Sequence, residues 1–257
     1  MTSSMTLTAV PGLPLVQAGD DLAALIRAGL GRAGLQLEDG DVLVVAQKVV
    51  SKAEGRRVNL DEVVASDRAV ALAREGGKDP RVVEVVLRES RRVVRAQRGV
   101  LIVEHRLGFV CANAGVDHSN VAGEGSAGGE WVLLLPEDPD ASARRLRQSL
   151  ESWSGKRLAV LIIDSHGRPW RMGTVGVAIG VSGFPALVDL RGREDLFGYR
   201  LRITQVGLAD EIAAAASALM GQADERRPVV HVRGLPYPLR EGSTAELLRP
   251  AEEDLFR

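Results

Sequence analysis

The chain has 257 residues, 45% of them hydrophobic and 26% charged, which excludes a disordered tail, a collagen-like fibre and a coiled coil. Lys and Arg number 33 against 34 Asp and Glu, for a net charge of −1, so the basic excess of a phosphate-neutralising nucleic-acid binder is missing. The single cysteine, Cys111, excludes an internal disulfide and a Cys-rich zinc site and suits a reducing, cytoplasmic setting, and no apolar run reaches the ~18 residues of a membrane span. In chain order, residues 1–9 are polar and read as a flexible N-terminus. Val10–Val16 reads as a strand broken by a Pro-Gly turn. Leu22, Leu25, Ile26 and Leu30 recur at helical spacing behind Asp20 and Asp21, either of which can cap the helix. Val42–Ala46 is a continuous apolar run after an Asp-Gly-Asp turn, the pattern of a buried strand, and VVSKAEGR leaves it towards a loop.

Residues 61–97 carry two amphipathic patterns, DEVVASDRAVALAREGG and DPRVVEVVLRESRRVVRAQ. Lys78-Asp79-Pro80 separates them, with Pro80 near the first turn of the second. The second is expected to be one helix whose stripe of Val82, Val83, Val86 and Leu87 continues at Val93 and Val94. Arg88, Arg91, Arg92, Arg95 and Arg98 then line its solvated face, or hold an anion. Gly99–Glu104 and Gly108–Ala112 read as a hairpin turning at Arg106-Leu107. Residues 113–129 read as a long polar loop, Trp131–Leu135 as a strand, and the segment after Asp138-Pro139-Asp140 as a helix. Leu158–Ile163 is the most strand-like run. The glycine-punctuated stretch DSHGRPWRMGTVGVAIGVSG reads as a second long loop. Thr204–Met220 is an Ala-rich helix stopped by Gly221, Pro228–Val232 the last strand, and residues 235–257 a Pro- and charge-rich tail. Strands and helices alternate without a regular β-α-β period, so the expected class is mixed α+β, in two lobes.

There is no P-loop, no dinucleotide-binding glycine fingerprint, no nucleophile elbow and no H-E-x-x-H. The four histidines, His105, His118, His166 and His231, show no metal-ligand spacing, and His118 and His166 read as surface imidazoles. Three polar clusters instead follow apolar runs. They are Gln47, Lys48, Ser51, Lys52 and Glu54; Asn113, Asp117, Ser119 and Asn120; and Asp164, Ser165, Arg168 and Arg171. Loop residues held by a rigid scaffold are where binding groups collect. Asp117 and Asp164 could share a hard cation such as Mg²⁺ or Mn²⁺, with the Ser165 hydroxyl completing its shell, and Lys52 could meet a phosphate as a point charge.

At these clusters the sequence resembles the coenzyme F420-0:γ-glutamyl ligase family in its stand-alone form. The stretches DGDVLVVAQKVVSKAEGR, CANAGVDHSN, LLPEDPDASA, DSHGRPWRMGTVGVAIG and TQVGLADEIAAAA carry the likeness over most of residues 10–234. The resemblance implies a mixed fold particular to that family, built as an intertwined homodimer, with residues 10–234 as the ligase domain. It implies GTP-dependent amide ligation of L-glutamate to the lactyl-phosphate carboxylate of coenzyme F420-0, with further γ-linked glutamates and Mg²⁺ or Mn²⁺ as cofactor. It places the metal on Asp117, Asp164 and Ser165, where Ser165 replaces a more usual Thr. It places guanine-nucleotide contacts on Leu13, Pro14, Leu15 and Val16, on Gln47, Lys52 and Asn120, and on the Gly221-Gln222 turn. Lys52, Asp117 and Asp164 are the expected catalytic residues. In the chemistry so implied, an acyl phosphate forms first and the glutamate amine then attacks it. Arg168 or Arg171 is a candidate for the oxyanion and His166 for the base. Two rivals remain at this point: a nucleotide-dependent ligase acting on another carboxylate, and a non-catalytic nucleotide-binding regulator on the same scaffold.

Overall fold

The computed structural model describes residues 4–97, 99–118, 121 and 129–254. Its centre is a five-stranded sheet in the order β1-β12-β2-β8-β9. The strands are β1 (Thr6–Ala9), β2 (Val42–Ala46), β8 (Ala159–Arg168), β9 (Arg171–Ser182) and β12 (Val229–Arg233). β2 runs parallel to β8, and the other pairings are antiparallel. Along β2 and β8 alternate residues enter two different cores. Leu43, Val45, Val160 and Ile162 meet α1 (Leu22–Arg32) and α5 (Pro139–Ser154), while Val42, Val44, Leu161 and Ile163 meet α6 (Leu208–Met220). A strand buried on both faces must be apolar throughout, which is why these runs lack polar alternation.

Between β2 and β8 the chain builds a second region around its own core. It starts with α2 (Gln47–Ala53) and β3 (Arg57–Asn59), then α3 (Asp67–Gly76) and α4 (Pro80–Arg88). The sheet β4-β5-β6 follows, comprising β4 (Ser90–Gln97), β5 (Val100–His105) and β6 (Val110–Ala112), and then β7 (Trp131–Leu133), which pairs with β3. Val82, Val83, Val85 and Val86 of α4 pack there on Leu101, Val103 and Val132. A two-stranded ribbon, β10 (Val188–Asp189) and β11 (Gln205–Val206), precedes α6.

The mixed α+β class and most elements agree with the sequence reading; four expectations do not. The second amphipathic segment is not one helix. α4 ends at Arg88, and Arg91, Arg92 and Arg95 lie on the exposed strand β4, while Arg98 lies outside the described residues. Thr6–Ala9 are an edge strand on β12, and Val10–Val16 are irregular chain, tied by the Val10 amide to Val229 O at 2.9 Å. VVSKAEGR begins inside a helix, α2. Finally, DSHGRPWRMGTVGVAIGVSG is an ordered antiparallel hairpin, β8–β9. The tail packs on its own chain: Leu235, Tyr237, Leu239 and Leu247 join the α6-side core, and the Thr244 amide donates to Asp140 at 3.1 Å.

Candidate active site

Past Ile163 the strand β8 leaves both cores, and its last residues keep the alternation. Asp164 and His166 point to the α5 side, Ser165 to the α6 side. His166 Nε2 lies 3.1 Å from Asp164 Oδ2, with both side chains about 15% exposed. The Phe109 ring packs against His166, centroids 5.4 Å apart, and stacks on His105 behind it at 5.2 Å. On the opposite face Ser165 donates to Gln222 Oε1 at 2.8 Å, and Gln222 Nε2 donates to Ser217 Oγ at 3.0 Å. Gln222 follows Gly221, which ends α6 with φ +77° and ψ −177°, a backbone reserved for glycine.

Asp117 comes from the second region. It stands after Asn113, Ala114 and Gly115, all left-handed, with φ of 52°, 52° and 66°. Such a run is costly for non-glycine residues. It is held by the Asn113 carboxamide, which accepts from the Leu101 amide at 3.1 Å, and by complete burial of Ala114. Asp117 then bridges Leu133 through two backbone hydrogen bonds of 2.9 and 3.0 Å.

α2 joins the two regions. Its Lys48 and Lys52, four residues apart, share one helix face. Lys48 Nζ meets Asp117 Oδ2 at 2.7 Å. Burial, with Arg57 and Lys48 nearby, lowers the Lys52 ammonium pKa below its usual value. Gln47 is buried, and its Oε1 accepts from Ser51 at 2.9 Å.

These groups enclose one cleft of about 700 Å³. Leu13, Pro14, Leu15 and Val16 line it with Gln47, Lys48, Lys52, Asp117, Asp164, Ser165, Gly221 and Gln222. Every described residue expected to bind the nucleotide or the metal is therefore at a single cleft; Asn120, with its neighbour Ser119, lies outside the described residues. The family profile described as F420-0:Gamma-glutamyl ligase matches residues 12–234. The chain belongs to the F420-0:gamma-glutamyl ligase family. It is 48% identical to the coenzyme F420:L-glutamate ligase of Methanothermobacter thermautotrophicus over 98% of this chain and 99% of that one. It is 44% identical to the protein of that name in Methanocaldococcus jannaschii, covering 95% of this chain and 94% of that one. Against the Methanopyrus kandleri protein of the same name the identity is 48%, over 99% and 98%.

In this member of the family, two readings of the site need correction. His166 is not a surface imidazole: it lines the cleft and is held by Asp164 and Phe109. Arg168 and Arg171 stand outside the lining, at the hairpin tip, where Arg168 donates to Met172 O at 3.0 Å. The sequence reading gave no role to Lys48, Phe109 or the Arg226-Arg227 segment. Arg226, at φ +56°, lines the cleft, as does Arg227. The spacing of Lys48 to Lys52 was the available signal for Lys48, and it becomes meaningful only once the segment is helical.

The donor set also fits a hard cation. Asp117 and Asp164 face the cleft from different regions and Ser165 adds a hydroxyl, and Mg²⁺ needs only one or two protein carboxylates beside substrate phosphates. Asp164 and Ser165, being consecutive in a strand, approach from opposite sides of β8.

Proposed function

We propose that the protein joins L-glutamate to coenzyme F420-0 through an amide bond, with GTP as phosphoryl donor, and extends the product with γ-linked glutamates. The observation that carries this reading is the convergence of Asp117, Asp164, Ser165, Lys52, Gln47, residues 13–16 and the Gly221-Gln222 turn on one cleft. The names of the relatives support the substrates.

A carboxylate does not condense with an amine at neutral pH, because its oxygen leaves poorly. In the proposed reaction an oxygen of the F420-0 carboxylate bonds to the γ-phosphorus of GTP, and the bond to GDP breaks. The glutamate nitrogen then bonds to the acyl carbon, inorganic phosphate leaves, and the amine proton passes to a base. Phosphoryl transfer of this kind depends on positioning and charge neutralisation. Asp117, Asp164 and Ser165 would hold Mg²⁺ or Mn²⁺, which supplies positive charge to phosphate oxygens. Lys52 neutralises further phosphate charge. Leu13–Val16 and Gly221-Gln222 bracket the guanine nucleotide, with Gln47 at the foot of α2. His166, which lines the cleft between Asp164 and Phe109, is the candidate for that base.

The same reading makes the protein a cytoplasmic, intertwined homodimer. No helix among the described residues is long and apolar enough to cross a membrane. Leu196, Phe197, Ile203 and Met172 are each at least 88% exposed, apolar surface suited to a second copy. Light scattering at twice the chain mass is the expected result.

The decisive assay is mass spectrometry of F420-0 incubated with L-glutamate, GTP and Mn²⁺, with GTP omitted as control. The expected product carries one or more added glutamyl units and forms only with GTP. A protein that binds GTP and forms no adduct would overturn the ligase reading in favour of another acceptor carboxylate or a regulator.

A further inference from the structure

We infer that Lys52 and Arg57 together form an anion subsite at the α2–β3 edge of the cleft, suited to a phosphate group. Arg57 begins β3 and pairs with Leu133 of β7, which in turn bridges Asp117. Residues directly opposite in a ladder share a face, so Arg57, Leu133 and Asp117 form one row. The neighbouring row, Val58 and Val132, enters the second region's core. The Arg57 row therefore faces the other way, towards α2, which lies against β7. Lys48 and Lys52 on α2 meet the row's two ends differently. At one end Asp117 neutralises Lys48 at 2.7 Å. At the other, Lys52 has a second cation, Arg57, close enough for its charge to be felt.

Among the described residues no acidic side chain forms an ion pair with Lys52 or Arg57; nearby Glu54 is engaged by Arg145 and Ser142, and Arg56 turns away to Glu89. Among the described residues, the buried Arg57 Nε has no hydrogen-bond partner. A buried donor left unmatched and a half-buried ammonium beside a like charge are both unfavourable until an anion arrives. Lys52 carries the signature of that conflict, a lowered pKa to which Arg57 contributes. Lys52 lines the cleft and Arg57, on β3, is not part of the lining, so an anion shared by the two would enter beside Lys52 and reach towards β3. A guanidinium and an ammonium side by side suit the several oxygens of a phosphate.

The inference rests on the ligase reading only for the origin of the phosphate, which is either a phosphate of the nucleoside triphosphate or the lactyl-phosphate of the acceptor. Calorimetric titration of the full chain with inorganic tripolyphosphate needs no turnover and so tests the subsite apart from the ligase assay. Arg57→Gln should weaken tripolyphosphate binding roughly 10-fold, and Arg57→Lys should restore most of it. The same loss for GTP alone assigns the phosphate to the nucleotide; the same loss for F420-0 alone assigns it to the acceptor. Wild-type protein that does not bind tripolyphosphate, or a folded Arg57→Gln variant that binds all three ligands as tightly as wild type, would overturn the subsite. Should Arg57→Gln fail to fold, wild-type protein decides. Tripolyphosphate should slow acylation of Lys52 and phenylglyoxal modification of Arg57 together, leaving Lys156 unaffected. Protection of neither, or of Lys52 alone, would overturn the pairing.

Discussion

The central sheet and the region inserted between β2 and β8 solve the same packing problem differently. The central strands bury both faces, so their sequences are apolar until the strand outruns its cover, and chemistry begins there, at Asp164. The inserted β3–β7 pair turns Val58 and Val132 into its own core and, on the other face, sets polar groups around the buried Leu133: Arg57 beside it and a bridge to Asp117. The cleft lies where the end of the central sheet meets the chain around Asp117 that bridges to β7. Two supporting structures of different kinds thus hold the two carboxylates, and each can be altered without dismantling its partner.

The largest expected effect follows from that division. Asp164→Ala and Asp117→Ala should each lower glutamyl addition by roughly 100- to 1000-fold, the scale on which loss of an electrostatic stabiliser acts. For Asp117→Ala stability should change little: Lys48 and Asp117 are about 30% exposed, and pairs so placed contribute ~1 kcal/mol or less. Turnover by either folded variant at the wild-type rate would remove that carboxylate from the reaction. A much lower melting temperature for one of them would mean that its region, unlike the other, depends on the site for its fold.

Acid should separate the two regions next. His105 of β5 is 1% exposed, and its Nδ1 accepts from the Leu107 amide at 3.0 Å. Burial pushes its pKa from 6.5 down to about 4, against the pull of Glu89. The unfolded chain therefore takes up a proton below pH 6.5 that the folded chain refuses until about pH 4. Stability from this group is complete above pH 6.5 and is lost as pH falls to 4, a change of about 3 kcal/mol. Asp41, at the start of β2, behaves differently. Its burial favours the neutral acid, but Arg233 at 2.7 Å and His231 at 2.8 Å override that and hold the carboxyl well below the usual range. Its contribution is present above the ordinary Asp value of 3.8 and declines only in stronger acid. Urea unfolding from pH 7 to 4 should show a steeper loss for wild type than for His105→Leu, and equal slopes would refute the assignment. Hydrogen exchange read separately on β5 and β2 sharpens the contrast. If both open together at pH 5, the regions unfold as one unit.

Legibility in the sequence followed the same divide. β2 and the first half of β8 were readable because two-faced burial leaves no polar residue to confuse the pattern. The site was readable for a related reason: its polar clusters are abrupt against such runs. Glycine misled at β8–β9, where Gly176 and Gly180 imitate a loop. A Cβ at Gly180 would come within 2.5 Å of Pro139 O, and one at Gly176 would collide with the Ala213 carbonyl, so these glycines let α5 and α6 lie close on the sheet. In the inserted region, RRVVRAQ fits a helical stripe as well as a strand. Only its partner β5 decides, and the pairing carries two register shifts that break the alternation a strand would advertise. Lys48 had only its four-residue spacing to Lys52 as a signal and Arg57 had none, since their meaning depends on Asp117 and Lys52 approaching through space.

The smallest effects lie at two helix caps, one in each region. Asp21 Oδ1 accepts from the Ala24 amide at 3.0 Å and starts α1 over the central sheet. Asp21→Ala should cost about 1 kcal/mol, the ordinary value of an N-cap, because nothing else in the described structure hangs on that carboxylate. Ser66 Oγ caps α3 through the Ala69 amide at 3.3 Å, and also donates to Glu84 Oε2 at 2.6 Å. The Ser66 amide donates to the same oxygen at 3.0 Å, so this cap ties α3 to α4 as well as starting a helix. Ser66→Ala should therefore cost more than Asp21→Ala, by roughly 0.5–1 kcal/mol for the charge-assisted bond, even though Ser66 lies on the surface. Ser66→Ala and Glu84→Gln should also couple when combined, and Asp21→Ala should add independently to either. Equal costs for the two caps in urea unfolding, with no coupling to Glu84, would mean that α3 and α4 are held by their shared valine core alone, as α1 is held by the central one.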